Sequence, residues 1–122
     1  MGTDSTPPGR AWDEPSEGYF SYLVVHDPAA LLSLLEGGAL ESHLLTFAAE
    51  IAGDAPLGLH PGLISLMQTL LQHPDAPVRE GAVYGLAKLL PEHPHLRSLI
   101  EAHADSRETS PGVQRAAWSI LD

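Results

Sequence analysis

From residue 27 onward, apolar residues recur every three or four positions, which is the spacing of one face of an α-helix. Short connectors rich in Gly, Pro or polar residues separate six such stripes, so the pattern predicts six helices. The stripes are Leu31, Leu34 and Leu35; Leu40, Leu44, Phe47, Ala48 and Ile51; Leu63, Leu66, Met67, Leu70 and Leu71; Val78, Ala82, Leu86 and Leu89; Leu96, Leu99, Ile100 and His103; and Val113, Ala117, Ile120 and Leu121.

Residues with known preferences for helix ends mark the boundaries. Asp27 precedes Pro28, which predicts an N-cap followed by proline at the first helical position. Glycines at 37, 38 and 53 end the first two helices, since glycine is favoured just past a helix. Pro61 opens the third predicted helix, Asp75 caps the fourth, and the sixth starts near residues 110–111.

The first 18 residues lack this period. They combine prolines and glycines with acidic residues, so we expect a flexible tail over 1–18, with Trp12 as a docking residue or a chance one. The segment from Tyr19 to Val25 is aromatic and β-branched, which alone suggests a strand. Since no second strand is available, we expect a helical or extended cap on a helical domain spanning 19–122.

The predicted helices also repeat in pairs. The segment 78–86 precedes a similar segment, 113–121, by 35 residues, and 44–52 precedes 78–86 by 34. Each has a large aliphatic residue followed four positions later by alanine. Gly81 and Gly85 each cost about 1 kcal/mol relative to alanine inside a helix, so we expect a neighbouring helix to approach closely there.

The turn and helix from His73 through Pro77, Arg79 and Ala82 to Leu86 resemble those of the HEAT-repeat family, and residues 110–117 resemble the next copy. The family resemblance implies an all-α fold, a short right-handed α–α superhelix of about three antiparallel helix pairs. It also implies structural roles for Asp75 and Arg79, which would bond turn backbone and neighbouring repeats. Gln114 departs from the arginine usual in the family, and the first unit keeps only the end of its second helix.

Charge and composition narrow the function. The formal net charge is −10, and no Lys or Arg occurs between Arg10 and Arg79. Such a chain would repel a phosphate backbone, which argues against nucleic acid and favours a basic protein partner. No apolar stretch is long enough to span a bilayer, so no membrane association is expected. The absence of cysteine fits a reducing compartment, and we expect a cytoplasmic protein.

Candidate chemistry is sparse. The seven histidines include no pair at positions i and i+4, so we expect structural or exposed histidines and no metal site. The carboxylate pair Asp13-Glu14 falls in the predicted tail, where no dry pocket can adjust a pKa. No nucleophile elbow or phosphate-binding loop is present, so we expect no enzymatic activity and no cofactor.

The remaining hypothesis is a binding surface. In helix-pair repeats the second helices line one face, and the 34- and 35-residue offsets place their outward residues in rows. The rows are Thr46, Glu80 and Arg115; Glu50, Tyr84 and Ser119; and Ala49, Val83 and Trp118. We expect a non-catalytic adaptor or inhibitor whose partner-binding residues are Glu50, Glu80, Tyr84, Arg115 and Trp118. Two alternatives stay open: an accessory or lyase-like protein that holds a small ligand between repeats, and a unit that self-assembles through its C-terminal repeat.

Overall fold

A computed structural model describes residues 18–38, 40–106 and 108–121. These residues form seven helices and contain no strand: α1 (18–26), α2 (Pro28–Gly37), α3 (Ser42–Ala52), α4 (His60–Leu70), α5 (Ala76–Leu89), α6 (Leu96–Ser106) and α7 (Pro111–Leu121). A 3-10 turn at Leu57–Leu59 leads into α4. The all-α prediction is therefore confirmed, and none of the described helices is long and apolar enough to cross a membrane. Residues 1–17 of the predicted tail, including Trp12, lie outside the described residues.

The aromatic and β-branched segment at 19–25 is helical, so the strand alternative is wrong. Its apolar residues divide between two sides of α1, as helical periodicity requires. One side enters the core through Phe20, Leu23 and Val24, whereas Tyr19, Tyr22 and Val25 face solvent. Burial of one helix side in the common core thus outweighs the local preference for a strand.

The helix ends follow the sequence signals with one difference. The Asp27 side chain accepts a hydrogen bond from the Ala30 amide, as an N-cap should. Gly38 ends α2 with a φ of 72°, a left-handed conformation that favours glycine. Asp75 occupies the N-cap position of α5, but its side chain makes no capping hydrogen bond. It accepts instead from the Ser42 hydroxyl at the start of α3, so it links two helix pairs.

The helices pack in the order of the chain. Within pairs, α2 contacts α3, α4 contacts α5, and α6 contacts α7. Between pairs, the second helices lie side by side, since α5 packs against both α3 and α7. A single apolar core runs through all of them, and its largest fully buried side chains are Leu31, Leu63, Met67, Val78, Val83, Leu86, Leu89, Leu96 and Ile100.

Glycines allow α3 and α5 to approach closely, as the sequence predicted. A Cβ added at Gly81 would lie 2.5 Å from the Thr46 carbonyl oxygen, and one at Gly85 would lie 2.6 Å from that of Ala49. Later residues of α3 thus meet later residues of α5, so the two helices run in the same direction. This register decides which side chains share the outer surface of the pair.

Candidate interaction face

Three of the expected partner-binding residues lie together where α3 meets α5. Tyr84 on α5 is 36% exposed, and Glu50 and Glu80 beside it are half-buried. Burial raises the pKa of Tyr84 above its ordinary value of 10.0, and the nearby carboxylates of Glu80 and Glu50 raise it further. The phenol hydroxyl therefore stays protonated at neutral pH, between two negative charges.

The other two expected residues lie on α7. Arg115 is exposed, and Trp118 is 40% exposed and lies outside the buried core. Together with Pro111, Gln114 and Ser119 they line a shallow depression of about 620 Å³ along this helix. The indole therefore presents a large apolar surface to solvent, which is the kind of surface that anchors protein interfaces.

One predicted row is wrong for two of its three members. Ala49 and Val83 are both buried, whereas Trp118 in the same row is exposed. Ala49 lies in the contact between α3 and α5. Val83 lies about half a turn around α5 from Gly81 and Gly85, on the side away from α3, and α5 also packs against α7. We therefore define the interaction face as the five expected partner-binding residues, each of which reaches solvent at least in part: Glu50, Glu80, Tyr84, Arg115 and Trp118.

A buried polar cluster connects α5 to the last helix pair. Glu108, in the connector between α6 and α7, has a side chain that is 0% exposed. Arg79 on α5 holds its carboxylate through three hydrogen bonds: Nε donates to Oε1 at 3.0 Å and to Oε2 at 3.2 Å, and Nη2 donates to Oε2 at 2.9 Å. His103 Nε2 lies 2.8 Å from Oε1, and the Ser110 amide donates to Oε2. The carboxylate thus has partners from α5, α6 and its own connector.

The hydrogen bonds determine the charge of Glu108. Burial alone would raise its pKa, but the bonds from Arg79, the Ser110 amide and His103 outweigh burial and lower the pKa to about 2. Because an ionised carboxylate only accepts, His103 Nε2 must carry the proton in that contact. Glu108 was not among the predicted site residues. The only feature of the sequence that points to it is its position, 35 residues after His73, in the turn equivalent to that of the preceding pair.

Arg79 also bonds the backbone of its own turn. Its Nη1 donates to the carbonyl oxygens of His73 and Pro74, at 2.8 and 3.0 Å. The same guanidinium thereby holds its own turn and reaches forward to Glu108 in the next pair. Arg79 is a structural residue, and we exclude it from the interaction face.

Two histidines form a link of their own. His60, which is buried at the start of α4, places Nε2 2.8 Å from the Ala55 carbonyl and Nδ1 2.9 Å from His93 Nε2. Since the carbonyl only accepts, Nε2 of His60 donates to it, and Nδ1 of the neutral His60 ring then accepts from His93 Nε2. Among the described residues, no group of three or more His, Asp or Glu side chains is arranged to hold a metal ion.

A groove of about 450 Å³ lies between α4 and α6. It is lined by Gln68, Leu71 and Gln72 on one side and by Leu99, Ala102 and His103 on the other. His103 Nδ1 has no hydrogen-bond partner and is covered by protein atoms, so a molecule in the groove could not reach it. Three of the six lining residues, Gln68, Gln72 and His103, are polar, so the ligand alternative stays open.

Comparison of the chain with family models, with curated proteins and with solved structures gives no match. A functional proposal for this chain therefore depends on its own residues: an exposed aromatic and acidic face on the second helices, and a buried polar cluster behind it.

Proposed function

We propose that this chain is a HEAT-like helical-repeat module, without catalytic activity of its own, that binds another protein through the interaction face. The observation that carries the proposal is the exposure of Tyr84 and Trp118 on helices whose opposite sides are buried in the core. Exposed Trp and Tyr are over-represented among the residues that dominate the binding energy of interfaces. The acidic neighbours Glu50 and Glu80 favour a basic partner.

The repeat part of the proposal is supported by contacts that recur at the 35-residue offset. The Asp75 amide donates to His73 Nδ1 at 3.0 Å, and the Ser110 amide donates to Glu108 Oε2 at 2.9 Å. Each pair of donor and acceptor is shifted by 35 positions, so two turns are built in the same way from different side chains. Such recurrence is typical of stacked helix pairs. The right-handed superhelix belongs to this proposal, as does a cytoplasmic location.

The proposal is tested by capture with the full-length chain on beads, followed by measurement of affinity with the purified partner. Trp118→Ala should weaken that affinity by about 30-fold, which corresponds to about 2 kcal/mol. Leu57→Ala is the matched control, because Leu57 is an exposed apolar residue that lies outside the interaction face. Binding should also weaken as salt is raised.

Other outcomes would support the alternatives. Equal affinity of the Trp118→Ala and Leu57→Ala variants for the partner would show that Trp118 of the interaction face does not contribute to binding. A size in solution that rises with concentration, and falls in Trp118→Ala, would favour self-assembly through the C-terminal pair. A small molecule that co-purifies with the chain and is lost when Gln68 and Gln72 are replaced would favour the ligand-holding alternative.

A further inference from the structure

An ion pair on the outer surface joins the turn after α3 to α5. Lys88 Nζ lies 3.1 Å from the Asp54 carboxylate, and both side chains remain partly exposed. The lysine stem lies over Gly53, where a Cβ would come within 3.0 Å of it. Here a cation on α5 pairs with a carboxylate in the turn that follows α3.

One helical turn earlier, the same positions carry different residues. Tyr84 lies four residues before Lys88 on the same face of α5. Glu50 lies in the last turn of α3, four residues before Asp54. The carboxylate is therefore repeated on α3, but an aromatic ring replaces the lysine on α5. Glu80 adds a second carboxylate, because it lies four residues before Tyr84 on the same face of α5.

The described cations of the chain do not fill this position. Lys88 is engaged with Asp54, and Arg79 is engaged with Glu108. Arg97 donates to the carbonyl of Leu121, and the exposed Arg115 pairs with neither carboxylate. Among the described residues, Glu50 and Glu80 thus face solvent without a Lys or Arg partner.

We propose that Glu50, Glu80 and Tyr84 form a docking site for a Lys or Arg side chain from a basic segment of a partner protein. The inference rests on the proposed function and specifies the partner's chemistry. Two carboxylates attract a cation, and the face of a tyrosine ring binds one through its quadrupole. The partner's side chain would lie beside Glu50 as Lys88 lies beside Asp54. A guanidinium should bind more tightly than an ammonium, because it pairs with carboxylates through two hydrogen bonds and stacks on aromatic rings.

The site can be tested with octapeptides of alternating glycine and arginine, lysine or glutamine, titrated into the full chain and followed by NMR. The arginine and lysine peptides should shift the Tyr84 ring resonances and the amides of 46–54 and 80–88, whereas the glutamine peptide should not. Glu50→Gln combined with Glu80→Gln should weaken binding of the arginine peptide by at least about tenfold. The matched control, Glu36→Gln with Glu92→Gln, removes the same charge from exposed sites outside the face and should change affinity by less than about twofold.

A second variant places a cation of the chain itself at the proposed site. Tyr84→Lys should reproduce the Lys88–Asp54 arrangement one turn earlier and compete with the peptide for Glu50. Peptide binding should fall by at least about tenfold, and the exposed position makes loss of folding unexpected. Tyr84→Leu, which removes the ring without adding a charge, should give a smaller loss.

Equal weakening by the two double glutamine variants would show general attraction to an acidic chain and overturn the inference. Unshifted Tyr84 resonances at peptide saturation would overturn it as well. The proposed function is judged separately, by the effect of Trp118→Ala on the cellular partner. It would stand if that partner needs Trp118 but is insensitive to Glu50 and Glu80.

Discussion

Arg79 and Gln114, which lie 35 positions apart, make the same contact with the backbone of their own turns. Arg79 Nη1 donates to the carbonyl of His73 at 2.8 Å, and Gln114 Nε2 donates to the carbonyl of Glu108 at 2.9 Å. The glutamine therefore preserves the contact that holds the turn, although an arginine makes that contact in the preceding turn. It lacks the charge with which Arg79 also reaches a buried carboxylate.

This relationship predicts unequal effects of substitution at the two positions. Arg79→Gln should retain the turn contact but leave the buried carboxylate of Glu108 without its guanidinium, which should lower the free energy of unfolding by about 3–5 kcal/mol. Gln114→Ala removes one hydrogen bond and should cost about 1 kcal/mol. Urea unfolding of both variants measures the difference. Similar losses at the two positions would contradict the separate role of the Arg79–Glu108 pair.

The contact between α3 and α5 predicts opposite effects of alanine at two helical glycines. Gly81→Ala should destabilise the fold by about 1–3 kcal/mol, because its Cβ would lie 2.5 Å from the Thr46 carbonyl oxygen and the backbones would have to separate. Gly62→Ala is the matched control: it lies in α4 with nothing within 4 Å, so alanine should stabilise by up to about 1 kcal/mol. Thermal unfolding of each variant is the measurement. Stabilisation by Gly81→Ala would show that the helices do not approach as described.

The low pKa of Glu108 predicts a loss of stability in acid. The pKa of Glu108 is about 2 in the folded chain and 4.5 ordinarily. The ionised carboxylate therefore contributes its full stabilisation of the folded state above pH 4.5. As pH falls from 4.5 to 2, this contribution of about 3 kcal/mol should be lost. Glu108→Gln should remove that part of the pH dependence, since it has no proton to bind in this range.

Because other carboxylates titrate in the same window, the comparison must use the difference between variants. Glu92→Gln, at an exposed site, should leave the slope of unfolding free energy against pH near that of the unmodified chain. Identical slopes for Glu108→Gln and Glu92→Gln between pH 4.5 and 2 would refute the assignment to Glu108.

The exposure of Trp118 predicts that its removal affects binding more than folding. Trp118→Ala should lower the free energy of unfolding by about 1 kcal/mol, since the ring is 40% exposed and leaves no closed cavity. Leu86→Ala, at a fully buried position, should cost about 2–5 kcal/mol. Denaturant unfolding and quenching of Trp118 fluorescence, with Trp12 replaced by phenylalanine, provide the readouts. A stability loss at Trp118 equal to that at Leu86, together with resistance to quenching, would place the indole in the core.

The sequence by itself determined the helices, because apolar periodicity and residues such as Asp27 and Gly38 act within one or two turns of the chain. It also indicated close packing at Gly81 and Gly85, since glycine destabilises a helix and contact with a neighbouring helix can offset that cost. The secondary structure of residues 19–25 was ambiguous from the sequence. Local propensity favoured a strand, and only burial against the common core selected a helix.

The tertiary structure alone decided which side chains meet. The offsets of 34 and 35 aligned Ala49 and Val83 with Trp118, but packing against neighbouring helices buried the first two and left the indole exposed. The role of Glu108 could not be predicted from its neighbours in the sequence. Its ionised state depends on the amide two residues away and also on the guanidinium of a residue 29 positions away. Periodicity along a chain fixes the face on which a residue lies. The distance and register between helices, which depend on packing of the whole core, fix what that face contacts.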